Sequence, residues 1–289
     1  MERLELAYGK LNLSLDVVRR QPTGYHDLRM VMETVELCDD VHIAVREGSG
    51  VELTTNLDLL PVDNRNIAVQ AARVFFRELG LPEKYVSIRI HKRLPVAAGM
   101  AGGSSNAAAV LRGLNELLGT GLSREELMRI GLLLGSDVPY CIVGGTALAE
   151  GRGEMLTPLT PLTPCHIVAC KPGFSISTPS LFARIDCNKI RHRPDTAGMQ
   201  TALRAEDLGQ VAIRMYNVFE DVLDGRGKEV ADIKLTLLEM GALGAAMTGT
   251  GPLVFGLFAD VALAKGAYVR LRQTYPETFL TRNRGPILI

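Results

Sequence analysis

One stretch constrains the chain more than any other: Pro95-Val96-Ala97-Ala98-Gly99-Met100-Ala101-Gly102-Gly103-Ser104-Ser105-Asn106-Ala107-Ala108, in which ten of fourteen residues are Gly, Ala or Ser. It follows Tyr85-Val86-Ser87-Ile88-Arg89-Ile90, whose alternation predicts a strand, and leads into a helix predicted over 106–118. Small residues between a strand and a helix let the backbone come close to a ligand or to a neighbouring element. The first N–H groups of a helix have no partner within it, and the helix dipole adds positive potential there. Phosphate is the natural guest of such a junction, with Ser104 and Ser105 adding hydroxyls for phosphate oxygens or Mg²⁺. The same composition also suits a loop packed tightly against a neighbouring helix.

The remainder of the chain can bury what such a loop needs around it. Hydrophobic residues make up 47% of 289 and charged residues 22%, a globular composition and a length for two domains. Lys and Arg total 32 against 32 Asp and Glu, which argues against a nucleic-acid or anionic-membrane partner. The longest apolar run, 132–145, is interrupted by Asp137 and Pro139, so no membrane span is expected. The N-terminus has no apolar signal core, which points to the cytoplasm. Cys38, Cys141, Cys165, Cys170 and Cys187 are odd in number and form no Cys-x-x-Cys, so reduced thiols are expected. The five histidines lack metal-ligand spacing.

Periodicity predicts an α+β chain. Residues 4–7 and 11–15 read as strands around Gly9-Lys10, and 41–45 and 51–55 as strands joined by a hairpin turn at Gly48-Ser49-Gly50. A helix over 64–79 starts at Asp63 or Asn64, and Ser123 with Glu126 has the capping-box form. Three prolines in 157–164 mark the boundary between domains 1–160 and 161–289. Beyond it come a strand over 166–170, helices near 179–184, 207–223 and 229–240, two strands bracketing Gly249-Thr250-Gly251, and a helix over 260–273. Common nucleotide and hydrolase signatures are missing. There is no G-x-x-x-x-G-K-[ST], no G-x-G-x-x-G, no G-x-S-x-G and no H-E-x-x-H, and His192-Arg193-Pro194-Asp195 has no Asp-Phe-Gly after it.

Three motifs in order resemble the kinase superfamily named for galactokinase, homoserine kinase, mevalonate kinase and phosphomevalonate kinase. They are Ala7-Tyr8-Gly9-Lys10-Leu11-Asn12-Leu13, the small-residue stretch from Pro95, and Met247-Thr248-Gly249-Thr250-Gly251-Pro252, and together they span nearly the whole chain. Within the superfamily, Gly24-Tyr25-His26-Asp27-Leu28 and Gly135-Ser136-Asp137-Val138-Pro139 are similar to the branch whose alcohol substrate carries a cytidine diphosphate in isoprenoid synthesis. Ala101 stands where the family has glycine, Met100 where it has leucine, and Tyr8-Gly9 where it has Pro-Ala.

The resemblance implies a two-domain fold, with an N-terminal domain of the ribosomal-protein type, a C-terminal ferredoxin-like α/β plait, and the site in the cleft between them. It implies transfer of the γ-phosphoryl group of ATP, as MgATP, to an alcohol, with residues 95–105 on the nucleotide. Asp137 then accepts or orients the hydroxyl proton and Lys10 keeps it ionised, where a structural ion pair or helix cap is the alternative. Tyr25 and His26 face the cytosine, Phe182 closes the other side, and Asn12 and Thr178 contact substrate. Core packing is the alternative for Phe182, an inner hydrogen bond for Asn12 and a helix cap for Thr178. Lys92 is available to counter nucleotide charge, although an exposed surface lysine is the plainer reading, and Glu150 and Glu154 are candidates to attract Mg²⁺ without a spacing argument. No protein metal ligand is assigned. A monomer or homodimer, with small-molecule partners, is expected. The rivals are a sister kinase for homoserine, mevalonate or a sugar, and a non-catalytic nucleotide- or RNA-associated protein.

Overall fold

A nearly unbroken run of buried residues makes the first element one long strand, β1 (Glu2–Arg20), instead of two short ones on either side of Gly9-Lys10. The structure, a computed structural model, describes residues 1–287. Gly9 serves close approach: a Cβ there would lie 2.7 Å from Leu94 Cδ2 and 2.9 Å from Met100 Cε. The register of β1 against β2 (His26–Arg46) slips between Tyr8 and Lys10. The Lys10 N–H, diverted from the ladder, donates to Met100 O at 3.1 Å. This irregularity in β1 ties the lysine to the small-residue stretch.

β3 (Gly50–Thr55) does not form the expected hairpin with β2. After α1 (Ile67–Leu79), β4 (Tyr85–His91) enters between them, antiparallel to β2 and parallel to β3. Burial explains the order. Val86, Ile88 and Ile90 of β4 are all buried with Val41, Ile43 and Val45, whereas β3 contributes Leu53 alone. The less apolar strand takes the edge. Asn66 caps α1, accepting from Ala68 N at 3.0 Å, while Asp63 turns back on Arg65.

The small-residue stretch then opens α2 (Gly102–Leu118) four residues earlier than expected. α3 (Arg124–Leu132) has the Ser123–Glu126 capping box, and α4 (Val138–Val143) follows, with no counterpart among the expected elements. β5 (Ala147–Gly151) pairs with β2, and β6 (Met155–Pro158) with β5.

In the second half, β7 (His166–Cys170) precedes α5 (Thr178–Phe182), α6 (Thr196–Arg204) and α7 (Leu208–Ala212). The helix expected over 207–223 breaks at β8 (Tyr216–Asn217), which pairs with β1. Asn217 is the cause: its Nδ2 donates to Met247 O and Gly249 O, and its Oδ1 accepts from Phe219 N. α8 (Gly227–Glu239), β9 (Gly244–Met247), β10 (Val254–Phe258), α9 (Val261–Arg272) and β11 (Thr278–Arg284) complete the chain. With β7 they form a β-α-β-β-α-β unit, strand order β11-β7-β10-β9, the ferredoxin-like arrangement. β11, absent from the sequence reading, pairs with β7 and also with β2 at Val35 and Thr34, so one sheet path crosses both halves. Among the described residues no helix is long and apolar enough to cross a membrane.

Glu33 lies inside this junction, 1% exposed, where Thr146 Oγ1 donates to its Oε2 at 2.5 Å. Burial pushes its pKa up to about 8, against the lowering effect of the threonine hydrogen bond. The unfolded chain releases this proton near the ordinary carboxylate value of 4.5, so the stability is fully present below that value and is lost as pH rises toward 8. Glu33→Gln, uncharged throughout, should flatten urea-unfolding stability between pH 5 and 8, a difference on the order of a few kcal/mol at the alkaline end. Parallel pH profiles for the two proteins would show that Glu33 stays ionised when buried.

Candidate active site

The two halves enclose a cleft of about 1180 Å³. One end is built by the start of α2. Ala101, the N-cap residue, is left-handed at φ +56°, and no side chain caps the helix. The first-turn amides therefore remain open to an anion. A left-handed alanine costs about 1–2 kcal/mol where glycine would cost none, so the helix entry is held in place by its surroundings.

Those surroundings are the turn at 248–251. A Cβ on Gly99 would lie 2.2 Å from Thr248 O, and one on Gly249 would lie 2.9 Å from Gly99 O. Glycine is required at both positions because the two loops interlock backbone to backbone. Thr248 Oγ1 also lies 3.4 Å from Gly99 O.

The members of the 95–105 stretch do not share one placement. Pro95, Val96, Ala97, Ala98, Gly99, Met100, Ala101, Gly102, Gly103 and Ser104 line the cleft, whereas Ser105 turns away and its Oγ donates to Tyr8 O at 2.6 Å. Ser105 therefore fastens α2 to β1. Asn12 is wholly buried. Its Oδ1 accepts from Lys10 Nζ at 2.7 Å, Gly249 N at 2.9 Å and Thr248 Oγ1 at 3.3 Å. Its oxygen is therefore an inner hydrogen-bond hub, while Asn12 also lines the cleft and its Nδ2 meets only Met30 Sδ at 3.3 Å.

Lys10 and Asp137 line the same cleft. Lys10 is 4% exposed. Burial holds its pKa below the ordinary lysine value, and the Asp137 charge opposes that shift. Asp137 occupies the N-cap position of α4, yet its carboxylate makes no capping bond there. The two charges influence each other across the cleft, and no salt bridge joins them.

The other end is aromatic. The His26 and Phe182 rings stack at 5.0 Å and 29°, and Phe182 meets Phe219 edge-on at 4.9 Å. Phe182 is thus paired with His26 instead of facing Tyr25 across an open slot, and that stack leaves no room for a base between its rings. Tyr25 is 59% exposed, with the Arg152 guanidinium over its ring at 5.2 Å. Burial, then the Arg20 charge, hold the His26 imidazole below its ordinary pKa. Thr178 Oγ1 and Thr250 Oγ1 share a hydrogen bond at 2.8 Å, and Ser177 occupies the cap position of α5.

Lys92 is not the surface lysine expected. Its side chain is 6% exposed, salt-bridged to the fully buried Asp39 and within 3.0 Å of Asn106 Oδ1, while it also lines the cleft. Glu150 accepts from Arg29 and Glu154 from the Arg152 amide, and neither lines the cleft. Among the described residues no three His, Cys, Asp or Glu side chains converge as metal ligands. Arg20, Asn66, Arg152 and Phe219 also line the cleft and went unrecognised. Their positions carry no motif, and only the folded chain brings them together.

Comparison with known proteins agrees with this arrangement. The family described as GHMP kinases N terminal domain matches residues 66–145, and GHMP kinases C terminal matches 199–277. A protein of Lachnoclostridium phytofermentans named 4-diphosphocytidyl-2-C-methyl-D-erythritol kinase is 43% identical over 278 residues, covering 96% of this chain and 95% of that one. The protein of that name from Clostridium tetani is 41% identical over 276 residues, covering 96% and 98%. A crystal structure of 4-(cytidine 5'-diphospho)-2C-methyl-D-erythritol kinase, 30% identical, superposes with a TM-score of 0.83 over 99% of this chain and 100% of that one. Homoserine kinase from Cytophaga hutchinsonii, at 18% identity and a TM-score of 0.76 over 100% and 97%, shares the fold. The chain belongs to the GHMP kinases, in the 4-diphosphocytidyl-2-C-methyl-D-erythritol kinase family.

Proposed function

We propose that this chain transfers the γ-phosphoryl group of ATP to the 2-hydroxyl of 4-diphosphocytidyl-2-C-methyl-D-erythritol, a step toward isoprenoid precursors. One observation carries the reading: Lys10 and Asp137, far apart in sequence, line a single cleft between an uncapped helix start and the Tyr25, His26 and Phe182 group. In this reading the triphosphate lies against the first-turn amides of α2, with Ser104 adding its hydroxyl. The Lys10 ammonium faces the γ-phosphoryl group and stabilises charge that builds there. Asp137 takes the proton of the attacking hydroxyl as its oxygen bonds to the γ-phosphorus, and the bond to the β–γ bridging oxygen breaks to release ADP. Most of the acceleration comes from holding both reactants in line. Mg²⁺ would neutralise phosphate charge. Asp137 and Ser104 are too few to cage it, so the nucleotide's own oxygens must supply most of its ligands.

Asp137→Asn keeps the shape but removes the proton acceptor, so kcat should fall by about 10²–10⁴ while ATP affinity stays near that of the wild type. Full turnover in this variant would remove Asp137 from proton transfer. Tyr25→Ala should raise KM for the cytidine substrate about tenfold and spare KM for ATP, stacking on an aromatic being worth about 1–3 kcal/mol per base. Equal rises in both constants would reject the stacking role. Because burial lowers the Lys10 pKa, the ammonium is lost as pH rises through a value below 10.5. The alkaline limb of kcat/KM should fall there and vanish in Lys10→Arg, whose guanidinium stays charged; a limb that persists in this variant must belong to another group.

A further inference from the structure

The protein as a whole is electrically balanced, yet its cleft is not. Lys10, Arg20, Lys92 and Arg152 line it against one carboxylate, Asp137, among the described residues. The four cations fall into two groups. Lys10 and Lys92 stand by the α2 start, where a Cβ on Gly249 would lie 3.3 Å from Lys10 Nζ and one on Gly102 3.3 Å from Lys92 Nζ. Arg20 and Arg152 stand by the aromatic end. Arg20 is the cross-strand partner of His26, whose imidazole feels its charge, and Arg152 covers the Tyr25 ring.

We propose that Arg152, assisted by Arg20, is a second phosphate-binding element that engages the diphosphate of the cytidine substrate and selects phosphorylated over neutral alcohols. This inference rests on the proposed function. Stacking over Tyr25 occupies the face of the guanidinium and leaves its N–H edge free. Its acidic neighbour is a weak competitor: Arg152 Nε lies 3.8 Å from Glu154 Oε1, beyond hydrogen-bond reach, while Glu154 Oε2 is taken by the Arg152 backbone N–H at 2.7 Å. The Arg152 side chain is 39% exposed, so an incoming anion reaches it without unfolding its surroundings. An oxyanion on this edge gains charge-assisted, bidentate hydrogen bonds. The same side chain that braces the base-stacking tyrosine would then read the phosphates next to the base.

The test is calorimetric binding of cytidine, CMP and CDP to the wild type, Arg152→Gln and Arg152→Lys, with ATP binding and thermal unfolding as folding controls. The wild type should bind CDP about tenfold or more tightly than cytidine, Arg152→Gln should collapse that ratio to about twofold through CDP alone, and Arg152→Lys should restore part of it. Equal weakening of cytidine and CDP in Arg152→Gln would make the residue a support for Tyr25 only and overturn the proposal, as would an unchanged ratio. A wild type that binds all three ligands equally overturns this inference and spares the kinase reading. A wild type that binds ATP but no cytidine ligand overturns both.

Discussion

Everything in the cleft is referred to one side-chain oxygen. Asn12 Oδ1, fully buried, gathers the Lys10 ammonium, the Gly249 amide and the Thr248 hydroxyl. The Asn12 N–H returns a bond to Thr248 Oγ1 at 3.0 Å. The first motif of the chain and its last glycine motif are thereby one hydrogen-bonded unit. A buried ammonium without such a partner is costly, and the amide offers an acceptor without neutralising the charge. Asparagine therefore suits the position better than aspartate, which would pair with the lysine and quench it.

A second buried polar centre does similar work beneath the nucleotide end. Asp39 accepts from the Arg93 and Leu94 amides at 2.7 and 2.8 Å and from Asn106 Nδ2 at 2.8 Å, and it pairs with Lys92. One carboxylate thus fixes the exit of β4, the first turns of α2 and the direction of a cleft-lining lysine. Each centre draws several donors onto one buried acceptor, an arrangement that rigidifies a structure.

How much of this was legible in the chain depends on how local the cause was. The small-residue stretch announced a strand-to-helix junction because its composition alone limits packing, and Ser123 with Glu126 announced a helix start because a capping box spans four residues. Gly9 reads as a break between two strands, because what it accommodates, Leu94 and Met100, lies far along the chain. β3 was paired with the wrong strand because loop length favours a hairpin while burial favours β4 in the middle. Of the candidate site residues, Lys10, Asp137, Tyr25, His26 and Phe182 do line one cleft. Ser105 is a polar residue whose hydroxyl is spent inside, on Tyr8 O, and no pattern distinguishes a spent hydroxyl from a free one. Arg20 and Arg152 had no motif to declare them.

The meshing of Gly99 with Thr248 and Gly249 has a mechanical consequence. With those loops locked, β8 zipped to β1, and β11 joined to strands of both halves, the two halves are bolted together along the waist. Jaw-like closure, common where two lobes grip a nucleotide, would have to tear backbone contacts apart. The aromatic end is the part of the cleft left to adjust: there the His26 and Phe182 rings meet side chain to side chain, and parting them breaks no backbone bond.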